Sequence, residues 1–291
     1  MISQLYALVA PFLDYGFMRR ALVACLALSI GSGPIGVLLL LRRMSLVGDA
    51  MSHAVLPGAA IGFLFSGLSL WGLTLGGFAA GLAVAGVAGL VARHTMLKED
   101  ASFAGFYLTS LALGVLLVSM RGSNLDLLHI LFGTILAVDD QALLLVASIA
   151  SLSTLVLAFI YRPLVLECLD PGFLRAVGGR GQLYHLVFLV LVVLNLVASF
   201  QALGTLMAVG LMMLPAATAR FWTIQVWSMC LTASVTAFLS GFIGLLLSYR
   251  FGLPSGPAIV LTAAGFYVLS IIVGRHGSLT ARLPRRRNYR G

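Results

Sequence analysis

The stretch Arg42-Arg43-Met44-Ser45-Leu46-Val47-Gly48-Asp49-Ala50-Met51-Ser52-His53-Ala54-Val55-Leu56-Pro57-Gly58 sets one carboxylate and one imidazole four residues apart in a run otherwise apolar enough to lie in a bilayer. Residues at i and i+4 share a helix face, so Asp49 and His53 converge on one point. An ionisable side chain at the centre of a membrane helix costs about 2.5–3.5 kcal/mol on insertion scales, and such residues usually mark an ion path or a site. With a rise of 1.5 Å per residue, Asp49 lies about 9 Å and His53 about 15 Å beyond Arg43. That puts His53 near the middle of a hydrocarbon core about 30 Å thick.

Composition carries the membrane reading to the whole chain. Its 291 residues are 60% hydrophobic and only 9% charged, whereas soluble domains carry roughly 25% charged residues. No polar block is large enough for a separate soluble domain, so residues 1–291 are read as one all-α, polytopic helical bundle. Apolar runs predict spans at 21–41, 46–70, 71–92, 103–120, 142–161, 184–200, 204–219, 226–249 and 256–273, and since some are short the expectation is eight or nine transmembrane helices. The run 125–138 is too brief to cross and reads as re-entrant or interfacial, with His129 as a hydrogen-bonded interfacial residue. Residues 1–14 are too short and too interrupted for a signal peptide.

Charge then sets orientation. The net charge of +9 would suggest nucleic acid in a soluble protein, but here the basic residues lie at the ends of apolar runs. Nine spans with a cytoplasmic C-terminus leave only Arg19, Arg20, Arg121 and Arg250 outside, a strong bias of the sign expected for a membrane protein. The N-terminus is then extracytoplasmic, and the basic tail 275–291 faces the anionic inner leaflet. Cys25, Cys168 and Cys230 have no ligand-like spacing and read as packed thiols.

Small residues predict how the helices meet. Gly77, Gly81, Ala85 and Gly89 recur every four residues, as do Gly58, Gly62 and Ser66, a spacing that lets backbones approach where lipid gives no hydrophobic drive. Gly31, Ser32, Gly33, Pro34 and Gly36 predict a kink or local unwinding of the first span.

A carboxylate with an imidazole suits a first-row divalent metal such as zinc or manganese, whereas calcium and magnesium call for oxygen donors throughout. Two donors per chain are too few for a settled site, but a two-fold homodimer with this helix beside its axis would supply four. The competing reading has Asp49 capping or bonding Ser45 or Ser52 and His53 bonding a carbonyl. Ser52, Asn195, Gln201 and Pro215 are candidate pathway or gate residues. Pro215 is expected to kink its helix, with Thr218 or Arg220 beside a gate. Asn195 and Gln201 flank a break near Gly204, although amides in spans more often join helices.

The stretch 42–58 resembles the signature of the zinc/manganese-type ABC transporter permeases. Leu131-Phe132-Gly133, Asp170-Pro171 with Ala176 and Gly178, Leu214-Pro215-Ala216-Ala217-Thr218-Ala219-Arg220, and Leu253-Pro254-Ser255-Gly256-Pro257-Ala258 agree in order and spacing, so the resemblance spans the chain. It implies the ABC importer permease fold, a homodimer, an extracytoplasmic metal-binding protein, a separate cytoplasmic ATPase, and metal passage at Asp49 and His53. The ion is cargo, and no permanently bound cofactor is expected.

Between residues 161 and 183 lies the longest polar interval on the cytoplasmic side. Asp170 fits an N-cap, Pro171 the first helical position and Gly178 a left-handed stop, giving a helix of about two turns. Phe173, Leu174 and Val177 would then form an apolar face in water. The resemblance makes residues 170–178 the coupling helix that docks on the ATPase. The sole lysine, Lys98, follows Leu97, so no P-loop exists and the chain is not expected to be an enzyme. Zinc is expected ahead of manganese as cargo, although one imidazole and one carboxylate per chain fit either metal. A self-contained proton-coupled carrier and a structural scaffold are the alternatives.

Overall fold

The computed structural model describes residues 10–67, 69–97, 99–120, 135 and 138–282. All regular elements among them are helical: α1 (Gly16–Leu41), α2 (Ser45–Ser66), α3 (Leu70–His94), α4 (Glu99–Met120), α5 (Asp140–Leu169), α6 (Pro171–Ala176), α7 (Gly181–Leu203), α8 (Thr205–Trp222), α9 (Val226–Phe251), α10 (Ser255–Val273) and α11 (Leu279–Arg282). Each of the nine predicted spans coincides with one of the long helices. Seven of these are long and apolar enough to cross a membrane, and α8 adds a shorter apolar helix, Met207–Trp222. His129 and most of the run 125–138 lie outside the described residues, as does the tail beyond Arg282.

Helix α1 is the hub, packed against α5, α7, α8 and α9. One core gathers Ile35, Leu38 and Leu39 of α1 with Met51 and Val55 of α2 and Phe188, Val192 and Leu196 of α7. A second joins Met18, Cys25 and Leu28 to Val146 of α5 and Leu245 of α9. The opposite helix faces are apolar and bare, as at Leu144, Phe159 and Leu261, which suits lipid rather than water. Hydroxyl groups within the helices turn back on their own backbone. Thr154 donates to Ala150 O at 2.8 Å, Ser240 to Thr236 O at 2.7 Å and Thr262 to Ala258 O at 2.7 Å, which leaves them satisfied without water.

Glycine does bring backbones together: the predicted row Gly58, Gly62 and Ser66 meets α3. Gly58 and Gly62 of α2 face Gly76 and Gly72 of α3: a Cβ at Gly58, Gly62 or Gly76 would overlap the opposing carbonyl, and one at Gly72 would overlap the Ser66 side chain. The α3 residues that meet the α2 backbone are Gly72 and Gly76, with the Ala80 side chain beside Gly58. Gly77 and Gly81 lie against the side chains of Val55 of α2 and Val193 of α7, and a Cβ on Gly89 would meet nothing within 4 Å. An all-apolar helix carries no polar face to fix its rotation, so spacing finds small rows without deciding which one touches a neighbour.

The unwinding expected in the first span is absent. Helix α1 runs unbroken through Pro34, and its small residues are packing sites: a Cβ at Gly36 would overlap Met212 O, and one at Gly31 would sit 2.6 Å from Asn195 Oδ1. Helix α5 also overrides its predicted end near Tyr161, continuing through Arg162 and Pro163 to Leu169. The break near Gly204 is real. Gly204 adopts φ 80°, ψ 168°, a region open essentially to glycine alone, and separates α7 from α8.

Helix α1 ends in a Schellman turn, with Met44 N–H bonded to Leu39 O at 3.0 Å and Arg43 N–H to Leu40 O at 3.1 Å. The left-handed position that glycine usually fills is occupied by Arg43 at φ 60°, and its side chain is exposed. A left-handed non-glycine residue costs about 1–2 kcal/mol. Arg43→Gly should therefore raise the apparent melting temperature of the detergent-solubilised protein, and an unchanged or lower value would refute the strain.

Candidate functional site

Helix α2 carries the signature pair on the strip that its own protomer leaves uncovered. Val47, Ala50, Met51, Ala54 and Val55 are buried against α1, α3, α4 and α7, whereas Leu46, Asp49 and His53 fall at i, i+3 and i+7 on the other side. The Asp49 side chain is 56% exposed and that of His53 28%. His53 Nε2 lies 3.8 Å from Asp49 Oδ1. Two bonds of about 2.1 Å each span up to about 4.2 Å, so both donors can reach one ion without a backbone change.

The competing local bonds are not made by the Asp49 carboxylate. Ser52 Oγ donates to the backbone carbonyl of Asp49 at 2.7 Å and is buried. His53 Nδ1 is buried and has no hydrogen-bond partner among the described residues. Helix α4 backs the pair. Tyr107 stacks on the His53 ring with centroids 6.0 Å apart and planes at 28°, Ser110 Oγ donates to Ala54 O at 3.3 Å, and Gly114 abuts Pro57.

The other candidates are distributed through the bundle. Asn195 is 1% exposed and donates to Ser153 Oγ at 2.6 Å and to Leu191 O at 2.9 Å, tying α7 to α5 beside Gly31. Gln201 sits just before the Gly204 break, with Nε2 buried and unpartnered among the described residues. Pro215 is buried within α8, Thr218 Oγ1 returns to Leu214 O at 2.8 Å, and Arg220 is exposed. Asp49 and His53 are the only two of these that meet as donors; no group of three or more His, Cys, Asp or Glu able to hold a metal occurs among the described residues.

The short helix α6 has the predicted grammar with one correction. Asp170 Oδ1 accepts from Phe173 N–H at 2.9 Å, Pro171 opens the helix, and Gly178 takes φ 78° beyond Ala176. Leu174, expected on the exposed apolar face, is buried at 7% and packs against Gly179, whose N–H bonds Leu174 O at 2.8 Å. The turn that closes the helix folds over Leu174, so the bare apolar face is Phe173 and Val177 alone.

Two residues matter here that the sequence reading did not single out. Tyr107 lies 54 positions from His53, and nothing local in sequence announces the stack. Arg42 was read only for its charge. Its Nε donates to Cys168 Sγ at 3.0 Å, Nη1 meets His185 Nδ1, and the guanidinium lies 4.9 Å from the centroid of the Phe188 ring. The turn leading into α2 is thus fastened to the end of α5, two residues before the Asp170 cap, and to α7.

The ABC 3 transport family profile matches residues 14–274. The chain is 35% identical over 270 residues to the manganese import system permease protein ScaB of Streptococcus parasanguinis, covering 91% of this chain and 95% of that protein. It is also 35% identical over 271 residues to the manganese transport system membrane protein MntC of Listeria innocua, covering 93% and 95%. The solved structure of PsaBC from Streptococcus pneumoniae in complex with Fab superposes with a TM-score of 0.83 at 31% identity, over 95% of this chain and 98% of that one. Sequence signature, helix order and matched length converge: the chain is a multi-pass membrane permease, not an enzyme, and belongs to the ABC 3 transport family.

Proposed function

We propose that two copies of this chain form the inner-membrane path of an ATP-driven importer of a divalent transition metal, with Asp49 and His53 of each copy as the donors that strip and pass the ion. The observation that carries this reading is the pair itself, an oxygen and a nitrogen donor 3.8 Å apart on the uncovered strip of an otherwise apolar helix. Two donors cannot close a coordination shell, and a second α2 across a two-fold axis would add the same two. A passing ion also needs an incomplete shell if it is to leave.

The cargo we assign first is manganese, because both relatives described above are named for it. Zinc was the expected cargo, but one carboxylate and one imidazole accept either metal and do not choose between them. An extracytoplasmic binding protein would deliver the ion, a separate ATPase would drive transport, and α6 would dock on that ATPase through Phe173 and Val177, with the C-terminus cytoplasmic and the N-terminus outside. The Arg42 clasp lies between that docking helix and the metal-bearing helix. Likeness over nearly the whole chain to permeases of import systems favours this reading over a self-contained proton-coupled carrier.

Reconstituted with its ATPase and binding protein, the wild-type permease should accumulate Mn2+ in proteoliposomes. Asp49→Ala and His53→Ala should each lower the initial rate at least tenfold while leaving thermal stability near that of the wild type. Uptake of both Mn2+ and Zn2+ at wild-type rates by the two variants would remove the site.

Docking has its own test, because Phe173 and Leu174 differ in burial. Phe173→Asp should weaken ATPase co-purification with little change in melting temperature. Leu174→Ala should instead lower stability by about 2–3 kcal/mol, the loss expected for truncating a buried leucine. Retention of the ATPase by Phe173→Asp at wild-type levels would move the docking surface elsewhere.

A further inference from the structure

A metal-bound imidazole is ordinarily held by the hydrogen bond that its other nitrogen donates to a carboxylate, a carbonyl or water. His53 departs from that pattern. Its Nε2 is the nitrogen turned toward Asp49, while Nδ1 is buried and meets no acceptor among the described residues. Asp49 Oδ1 at 3.8 Å is beyond hydrogen-bond range as well, so among the described residues no hydrogen bond from Nδ1 or to Asp49 fixes the ring.

What does touch the ring is Tyr107. Its aromatic plane lies at 28° to the imidazole with centroids 6.0 Å apart, within the distances of an offset aromatic pair. The phenyl body is half-buried and packs against the hydrophobic core. Two further contacts hold its register. Ser110 and Gly114, three and seven residues on and therefore on the same face of α4, lie against Ala54 and Pro57, the residues one and four beyond His53.

From this geometry we infer that Tyr107 is a positioning residue for the metal site, which orients His53 by ring stacking in place of the usual hydrogen bond to Nδ1. The inference rests on Asp49 and His53 being the metal donors. The aromatic face does the positioning, so the phenolic hydroxyl is dispensable and the ring is not.

The test uses the full-length permease in nanodiscs, with Mn2+ binding followed by electron paramagnetic resonance and Co2+ binding by its visible spectrum. Tyr107→Phe should bind both ions within about twofold of wild type. Tyr107→Leu, and Tyr107→Met as a second ring-free variant, should bind about tenfold more weakly, at the lower end of what loss of a supporting partner costs a metal site. Their Co2+ band should change in position or intensity as the imidazole loses its fixed orientation. In a His53→Ala background the same replacements should add no further loss of affinity, which general loosening of the bundle would not produce.

Wild-type affinity and an unchanged Co2+ spectrum in the ring-free variants, with His53→Ala defective, would overturn the positioning assignment and leave the metal site standing. The assignment also fails if Tyr107→Phe is as weak as Tyr107→Leu, since the hydroxyl would then be the active part. Wild-type affinity in His53→Ala would remove the site and this inference together.

Discussion

Hydrocarbon offers a polar group no water, so each one inside this bundle either bonds to protein or stands out as an exception. The hydroxyls of Thr154, Ser240 and Thr262 close on the carbonyl one turn back, and Asn195 uses its amide on Ser153 and on its own helix. Against that background the signature turn is conspicuous. Asp49 and His53 stand beyond hydrogen-bond range of each other, and His53 Nδ1 is left over. Under the proposed function, polar groups kept underbonded in an apolar setting would raise the energy of the unloaded pair, and an arriving cation would relieve it. The same logic separates Asn195, which serves the packing of α5 and α7, from the pair that faces away from the protomer core.

Apolarity and punctuation were legible in the chain. The long helices coincide with the predicted runs, the Gly204 break is where amides and glycine placed it, and the Asp170 cap, the Pro171 start and the Gly178 stop follow from local backbone chemistry. Rotation and end points were not. Gly72, Gly76 and Ala80 meet the backbone of α2 while Gly77 and Gly81 meet side chains of α2 and α7, because a helix apolar on every side has no sequence marker for the face that makes the backbone contact. Leu174 turns inward through a contact with Gly179 that only the closed turn creates, and α5 passes through Pro163 because the apolar residues beyond it still have a core to join.

The site was half legible for a related reason. Asp49 and His53 are four residues apart, and helical periodicity alone unites them. Tyr107 and Arg42 reach their partners across the fold, over 54 and 126 residues, so no window on the sequence contains both members of either contact. Arg42 shows how little composition says about such a residue. A guanidinium that counts as one more cytoplasmic charge is, in place, the tie between the turn before α2, the last turn of α5 and the first turns of α7.

The glycine contact between α2 and α3 limits how this tie could act. Where two helices touch carbonyl against alpha carbon, neither can roll about its own long axis without prising the other away. Gly58 and Gly62 lie five and nine residues beyond His53, so the helix that carries the signature pair is locked to α3. Any motion of α2 therefore carries α3 with it, and the left-handed turn at Arg43 is where the pair joins the preceding helix.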